Sequence, residues 1–93
     1  MKLKYSSDYL RRVRNEISIA RVIQDALELP TKTSEGYLRF LCPACSEFNT
    51  AVNSETNLAR CFRCEQNFNP IDMVMVVKGY PFLDAVAFLS SLL

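Results

Sequence analysis

The chain has 93 residues, 49% of them hydrophobic and 23% charged, the composition of one globular domain and not of a disordered or fibrous chain. Eleven basic and ten acidic side chains leave a formal charge of +1, which excludes nucleic-acid binding by bulk charge and excludes an acidic tail. Four cysteines and no histidine exclude Ser-His-Asp and Cys-His catalysis and any imidazole metal ligand from this chain.

The N-terminus opens with charge, Met1-Lys2-Leu3-Lys4, and no apolar stretch with a small-residue cleavage site follows. The expected location is cytoplasmic, where thiols stay reduced. Asp8 to Asn15 reads as a short helix capped by Ser6 or Ser7, with Tyr9, Leu10 and Val13 at helical spacing. Lys2, Lys4, Arg11, Arg12 and Arg14 against Asp8 give residues 1–14 a local +4, either a solvated face or a phosphate-contacting patch. Ser18 can cap a second helix running to Glu28, with Ile19, Val22, Ile23, Ala26 and Leu27 on one stripe and Pro30 closing it. Residues 1–30 thus form an N-terminal helical part. Thr31 to Gly36 reads as a polar connection.

Tyr37 to Leu41 is a strand leading into Cys42-Pro43-Ala44-Cys45. Phe48 to Asn53 and Asn57 to Phe62 are two further strands, joined by a turn-rich segment and leading into Cys61-Phe62-Arg63-Cys64. The cysteines fall as C-x2-C, fifteen residues, C-x2-C, the spacing of a four-cysteine zinc site. Each C-x2-C turn sets two sulfurs on one side of an ion, and a hairpin brings the second turn opposite. Disulfides need an oxidising compartment, and a redox C-x-x-C normally stands alone. A rubredoxin-like iron site uses the same ligand count, but glycine usually follows the second cysteine there, and here Ser46 and Glu65 do. The spacing therefore favours one structural Zn2+ held by Cys42, Cys45, Cys61 and Cys64 within a small zinc ribbon over residues 37–68. Four thiolates and a divalent ion turn the formal +1 into −1, so any nucleic-acid contact depends on locally placed basic groups.

Beyond the second knuckle, Asn69 is an N-cap, Pro70 sits at the first helical position and Asp72 completes a capping box. Gly79 ends this helix, and a last helix runs from about Pro81 to the terminus, with Phe82, Ala85, Val86, Leu89 and Leu92 on one stripe. Leu83, Ala87 and Phe88 lie outside that stripe. Only Asp72, Lys78 and Asp84 are charged from Pro70 onward, so residues 69–93 pack on the ribbon, meet a partner, or both. The longest uncharged run, Ala85 to Leu93, is far below the roughly 18 residues of a membrane span. The expected fold is a single α+β domain over residues 1–93: a small antiparallel zinc-ribbon sheet flanked by N-terminal and C-terminal helices.

These pieces in this order resemble the zinc-binding domain of bacterial and phage DnaG-type primases. The resemblance covers Ile19-Ala20-Arg21-Val22-Ile23, Leu29, the strand into Cys42-Pro43, and Cys61-Phe62-x-Cys64. It continues through Ile71-Asp72-Met73-Val74-Met75, Gly79, Phe82 and Asp84-Ala85-Val86. Several positions depart from the family pattern. Its second ligand is usually histidine, where Cys45 stands, as in some phage primases. Arg63 replaces a glycine, Glu65-Gln66-Asn67-Phe68-Asn69 a glycine-rich loop, and Leu58-Ala59-Arg60 lacks an expected aromatic.

The resemblance implies recognition of single-stranded DNA template for RNA primer initiation, together with a separate primase catalytic domain or replication protein. Arg63, at a solvent-exposed knuckle tip where the family needs no side chain, is the first candidate phosphate contact, with Arg39 and Arg60 and, more weakly, Lys32 after it. Tyr37 and Phe62 either stack on bases or pack within the sheet and under the knuckle. The acids are scattered and there are only two glycines, so neither a two-metal carboxylate site nor a phosphate loop is encoded, and the chain alone is expected not to be an enzyme. The competing reading is a zinc-ribbon interaction module docking through its apolar C-terminal helices on a larger complex. A homodimer through Leu83 and Phe88 is a third.

Overall fold

The computed structural model describes residues 5–93, so Lys2 and Lys4 of the basic segment lie outside the described residues. Helix α1 spans Ser7–Glu16, and the Ser6 side chain caps it by accepting from the Tyr9 N–H at 3.1 Å. Ser18 caps α2, Ile19–Arg21, whose following turn Val22–Ala26 widens to a π-helix closed by Leu27 N–H on the Val22 carbonyl at 2.8 Å. The expected end at Glu28 is corrected. Glu28 has φ 52°, in the left-handed region, and the Leu29 N–H turns back to the Ile23 carbonyl at 3.0 Å. The helix thus stops on a left-handed residue, without glycine.

The segment expected as a polar connection is instead a strand. Thr31–Ser34 (β1) pairs antiparallel with Tyr37–Phe40 (β2), with Thr31 opposite Phe40 and Ser34 opposite Tyr37. Glu35 (φ 55°) and Gly36 (φ 81°) supply the two left-handed residues that a two-residue hairpin turn needs. β1 shows no apolar alternation because it is an edge strand, formed by pairing and not by burial. A second antiparallel sheet runs β3 (Thr50–Asn53), β4 (Leu58–Cys61), β5 (Gln66–Phe68) in that spatial order. β5 lies in a segment read as loop. The knuckle turn folds it back onto β4, setting Asn67 opposite Arg60 and Gln66 opposite Cys61.

No ladder joins the two sheets; one buried threonine does much of that work. Thr50 Oγ1 accepts from the Phe40 N–H at 2.8 Å and donates to the Phe40 carbonyl at 2.5 Å. The Thr50 carbonyl in turn accepts from the Arg39 guanidinium at 2.9 Å. A second long-range tie comes from Asn57, in the turn between β3 and β4. Its Oδ1 accepts from the Ile19 N–H at 2.9 Å, and its Nδ2 donates to the carbonyls of Arg14 and Ile17 at 2.7 and 2.8 Å.

Helix α3, Pro70–Lys78, carries the expected capping box between Asn69 and Asp72 and ends at Gly79 in the left-handed conformation, φ 69°. Helix α4 spans Phe82–Ser90, stopping short of the terminus. Two apolar cores result. Leu10, Val13, Ile17, Val22, Ile71, Val74, Ala85, Val86 and Leu89 close the helical half, and Tyr9 ties it further through its hydroxyl to Ser90 Oγ at 2.6 Å. Ile19, Ile23, Phe40, Val52, Ala59, Phe68 and Met73 pack around the buried cysteines Cys42 and Cys61. Helix α3 serves both, Ile71 and Val74 toward one and Met73 toward the other.

Among the described residues no single helix is long and apolar enough to cross a membrane, and α3 and α4 are bent 114° to each other. The nearly uncharged C-terminal pair is explained by these cores. Phe88 is half-buried, lies edge-on to Tyr80 at 6.2 Å and sits beneath Lys78. Leu83 is half-buried as well, whereas Leu92, expected on the buried stripe, is exposed.

Candidate metal centre and nucleic-acid interface

The two knuckles approach from opposite sides. The end of β2 delivers Cys42, and the Cys42 N–H donates to the Glu47 carbonyl while the Ser46 N–H returns to the Cys42 carbonyl, at 3.0 and 2.9 Å. The end of β4 delivers Cys61. In each knuckle a backbone amide points at the first sulfur: Ala44 N–H to Cys42 Sγ and Cys64 N–H to Cys61 Sγ, both at 3.4 Å. All four sulfurs lie within 4.8 Å of one another, with Cys42–Cys64 at 4.0 Å and Cys45–Cys61 at 3.7 Å. A tetrahedron of thiolates about 2.3 Å from zinc has edges of about 3.8 Å. The four cysteines therefore fit one Zn2+, with no ligand position left over.

Electrostatics point the same way. Burial pushes the Cys61 thiol up, but the Cys64 amide and the neighbouring thiols more than reverse this, to about 7. Cys64 is pushed up to about 12, first by its hydrogen bond with Cys45 and then by burial. Cys45 is raised as well, chiefly by burial. Four thiols so close cannot all ionise without a cation between them, and zinc supplies that charge.

Ser46 and Glu65, the residues after each second cysteine, have φ 59° and 56°. The knuckle needs the left-handed conformation there, and this chain adopts it without glycine. Contrary to the expectation from sequence, the lack of glycine therefore does not by itself separate zinc from iron; the family does.

Strand alternation sorts the remaining candidates. Thr50, Val52, Ala59 and Cys61 are buried, so Ala51, Asn53, Leu58, Arg60 and the following Phe62 face outward. Tyr37, Arg39, Arg60 and Phe62 line one groove on this face, together with Asn53 and Asn67. Tyr37 is 52% and Phe62 55% exposed, so neither ring is consumed by packing. Each has an arginine beside it, Arg39 at 5.9 Å from the Tyr37 ring and Arg60 at 5.7 Å from the Phe62 ring.

Arg39 is less free than its sequence position suggested. Its side chain is 19% exposed, bound to the Thr50 carbonyl and to Glu35 at 3.3 Å. Arg63 and Lys32 fall outside the groove. Arg63 pairs with Glu47 at 3.0 Å, linking the two knuckles, and Lys32 covers the Phe48 ring at 4.9 Å. Asn57, Asn53 and Asn67 were not singled out from sequence, because a polar residue in a turn or short strand is unremarkable until its partners are known.

A four-thiolate tetrahedron carried by paired knuckles on antiparallel strands defines a zinc ribbon with a structural metal. Within that class, the family model of the CHC2 zinc finger, the zinc ribbon of DnaG, matches residues 5–93, and the chain belongs to that family. No curated protein matches the chain. The match makes it a zinc-binding module of the primase type. Cys45 stands where the family name records histidine, and its sulfur lies with the other three in the cluster that could hold the ion.

Proposed function

We propose that this domain binds single-stranded DNA template for RNA primer initiation and presents it to a catalytic domain elsewhere. The observation carrying this reading is the groove in which two exposed aromatic rings each stand beside an arginine, with no carboxylate in its lining. Aromatic faces stack on bases regardless of sequence, and guanidinium groups meet the phosphates between them. In this reading the domain does not itself catalyse: among the described residues no three carboxylates cluster, and the four cysteines complete the ligand set of one zinc. The C-terminal docking alternative is less well supported, since most apolar side chains of α3 and α4 are spent in the chain's own cores.

The test is fluorescence anisotropy of labelled single-stranded DNA with the zinc-loaded chain at two salt concentrations. Phe62→Ala should weaken binding about fivefold or more. Arg60→Ala should reduce the salt slope by about 0.7. Salt-insensitive or absent binding, with both variants unchanged, would overturn the reading.

A further inference from the structure

The groove is rich in donors and poor in acceptors, and two asparagines make it so. Asn67 stands opposite Arg60 on the paired strand, and its Oδ1 accepts from the Arg60 guanidinium at 3.3 Å. Asn53 closes the β3–β4 turn, its Oδ1 accepting from the N–H groups of Glu55 and Thr56 at 3.0 and 3.4 Å. In both cases the partner can only donate, so the amide orientation is forced: oxygen held by the protein, NH2 turned away from it. Neither Nδ2 has an acceptor among the described residues, and both side chains are exposed on the groove. Arg39 and Arg60 add further donors, and no acidic residue lines the groove. A ligand seated here meets NH groups along the base edge as well as along the phosphates.

We infer that the groove selects keto bases over amino bases, with Asn53 and Asn67 as the specificity-determining residues. Thymine and guanine offer an exocyclic carbonyl oxygen to a protein NH2. Adenine and cytosine carry an exocyclic amino group at that position, which faces a second donor. An amide NH2 placed for a carbonyl must then shift to the neighbouring ring nitrogen to find an acceptor. Stacking on Tyr37 and Phe62 holds any base; the two amides favour the edge whose exocyclic group is an acceptor over the edge whose exocyclic group is a donor. This inference rests on the single-stranded DNA reading above.

Oligodeoxyuridine and oligodeoxycytidine of about eight nucleotides separate the two ideas, because these strands share charge and size and lack the thymine methyl. The zinc-loaded chain should bind the uridine strand about fivefold or more tightly, one hydrogen bond's worth. Asn53→Asp and Asn67→Asp keep the oxygen that each internal bond uses and replace only the outward NH2 by an acceptor. Both weaken binding generally, but the uridine-to-cytidine ratio cancels that shared charge effect. The ratio should fall toward one in each single variant and invert in the double variant, with circular dichroism and zinc content unchanged. Equal wild-type binding to both strands would overturn the keto preference while leaving the template reading intact. A preference that survives both substitutions would overturn the assignment to these residues. Binding of neither strand would overturn both ideas.

Discussion

Asn57 gives the sharpest test of how the ribbon and the helices are held together. The amide reaches the ends of two helices at once: the Arg14 and Ile17 carbonyls at the close of α1, and the Ile19 N–H at the start of α2. These groups have no partner within their own helices, so removing the amide strands them in a partly buried junction. At about 1 kcal/mol net for each of the three hydrogen bonds, the side chain contributes about 3 kcal/mol. The backbone adds a separate term, since Asn57 has φ 56°, where asparagine and glycine are tolerated and alanine costs about 1 kcal/mol more. Asn57→Gly should therefore lose about 2–3 kcal/mol and Asn57→Ala about 3–4 kcal/mol. In thermal unfolding of the zinc-loaded chain, Asn57→Gly lowers Tm by about 10–20 °C, and Asn57→Ala lowers it further. A glycine variant within about 0.5 kcal/mol of wild type would show that the three bonds add nothing net. An alanine variant more stable than the glycine one would refute the backbone term.

Thr50→Val, nearly the same shape, leaves both Phe40 backbone groups unpaired in a dry junction and should cost about 2–4 kcal/mol by denaturant unfolding. Glu65→Gly and Ser46→Gly relieve left-handed backbone at a non-glycine residue; offset by glycine's greater unfolded-state entropy, each should gain about 0.5–1 kcal/mol, read as a raised unfolding midpoint. One zinc per chain is expected by metal analysis, and a strong chelator should unfold the ribbon. The thiols of Cys45 and Cys64, raised above their ordinary value, are protonated at neutral pH without metal. Zinc must therefore displace at least these protons, and its apparent affinity falls as pH falls. Calorimetry in buffers of different ionisation enthalpy should register about two or more protons released per zinc near pH 7.

The features legible in the sequence are those whose physics is local. Asn69, Pro70, Asp72 and Gly79 bracket α3 because a capping box and a left-handed stop need only near neighbours. The C-x2-C pairs announce a metal because two ligands in one turn are a geometric requirement of the ion. What escaped notice depends on partners far along the chain. β1 and β5 are short and polar, and become strands only because β2 and β4 lie beside them. Asn57 bonds groups 38 to 43 residues away, and nothing next to it in sequence hints at that. Arg39 is a candidate phosphate contact from its position alone, yet two of its guanidinium N–H groups are already engaged by Thr50 and Glu35. The groove falls between these cases: period-two alternation puts Arg60 and Phe62 on one face, but not which atoms of Asn53 and Asn67 remain free.

Helix α3 stands between two cores that share no metal ligand on the helical side. Leu10, Val13, Val74, Val86 and Leu89 pack together without any cysteine, whereas the ribbon core is built around Cys42 and Cys61. Amide exchange should therefore divide the chain into two cooperative units along α3. In the metal-free chain the amides of β2 to β5 should open to solvent first, while those of α1, α3 and α4 keep measurable protection. Zinc then sets the order of the ribbon half, and the helices persist as the platform on which that half reassembles when metal returns.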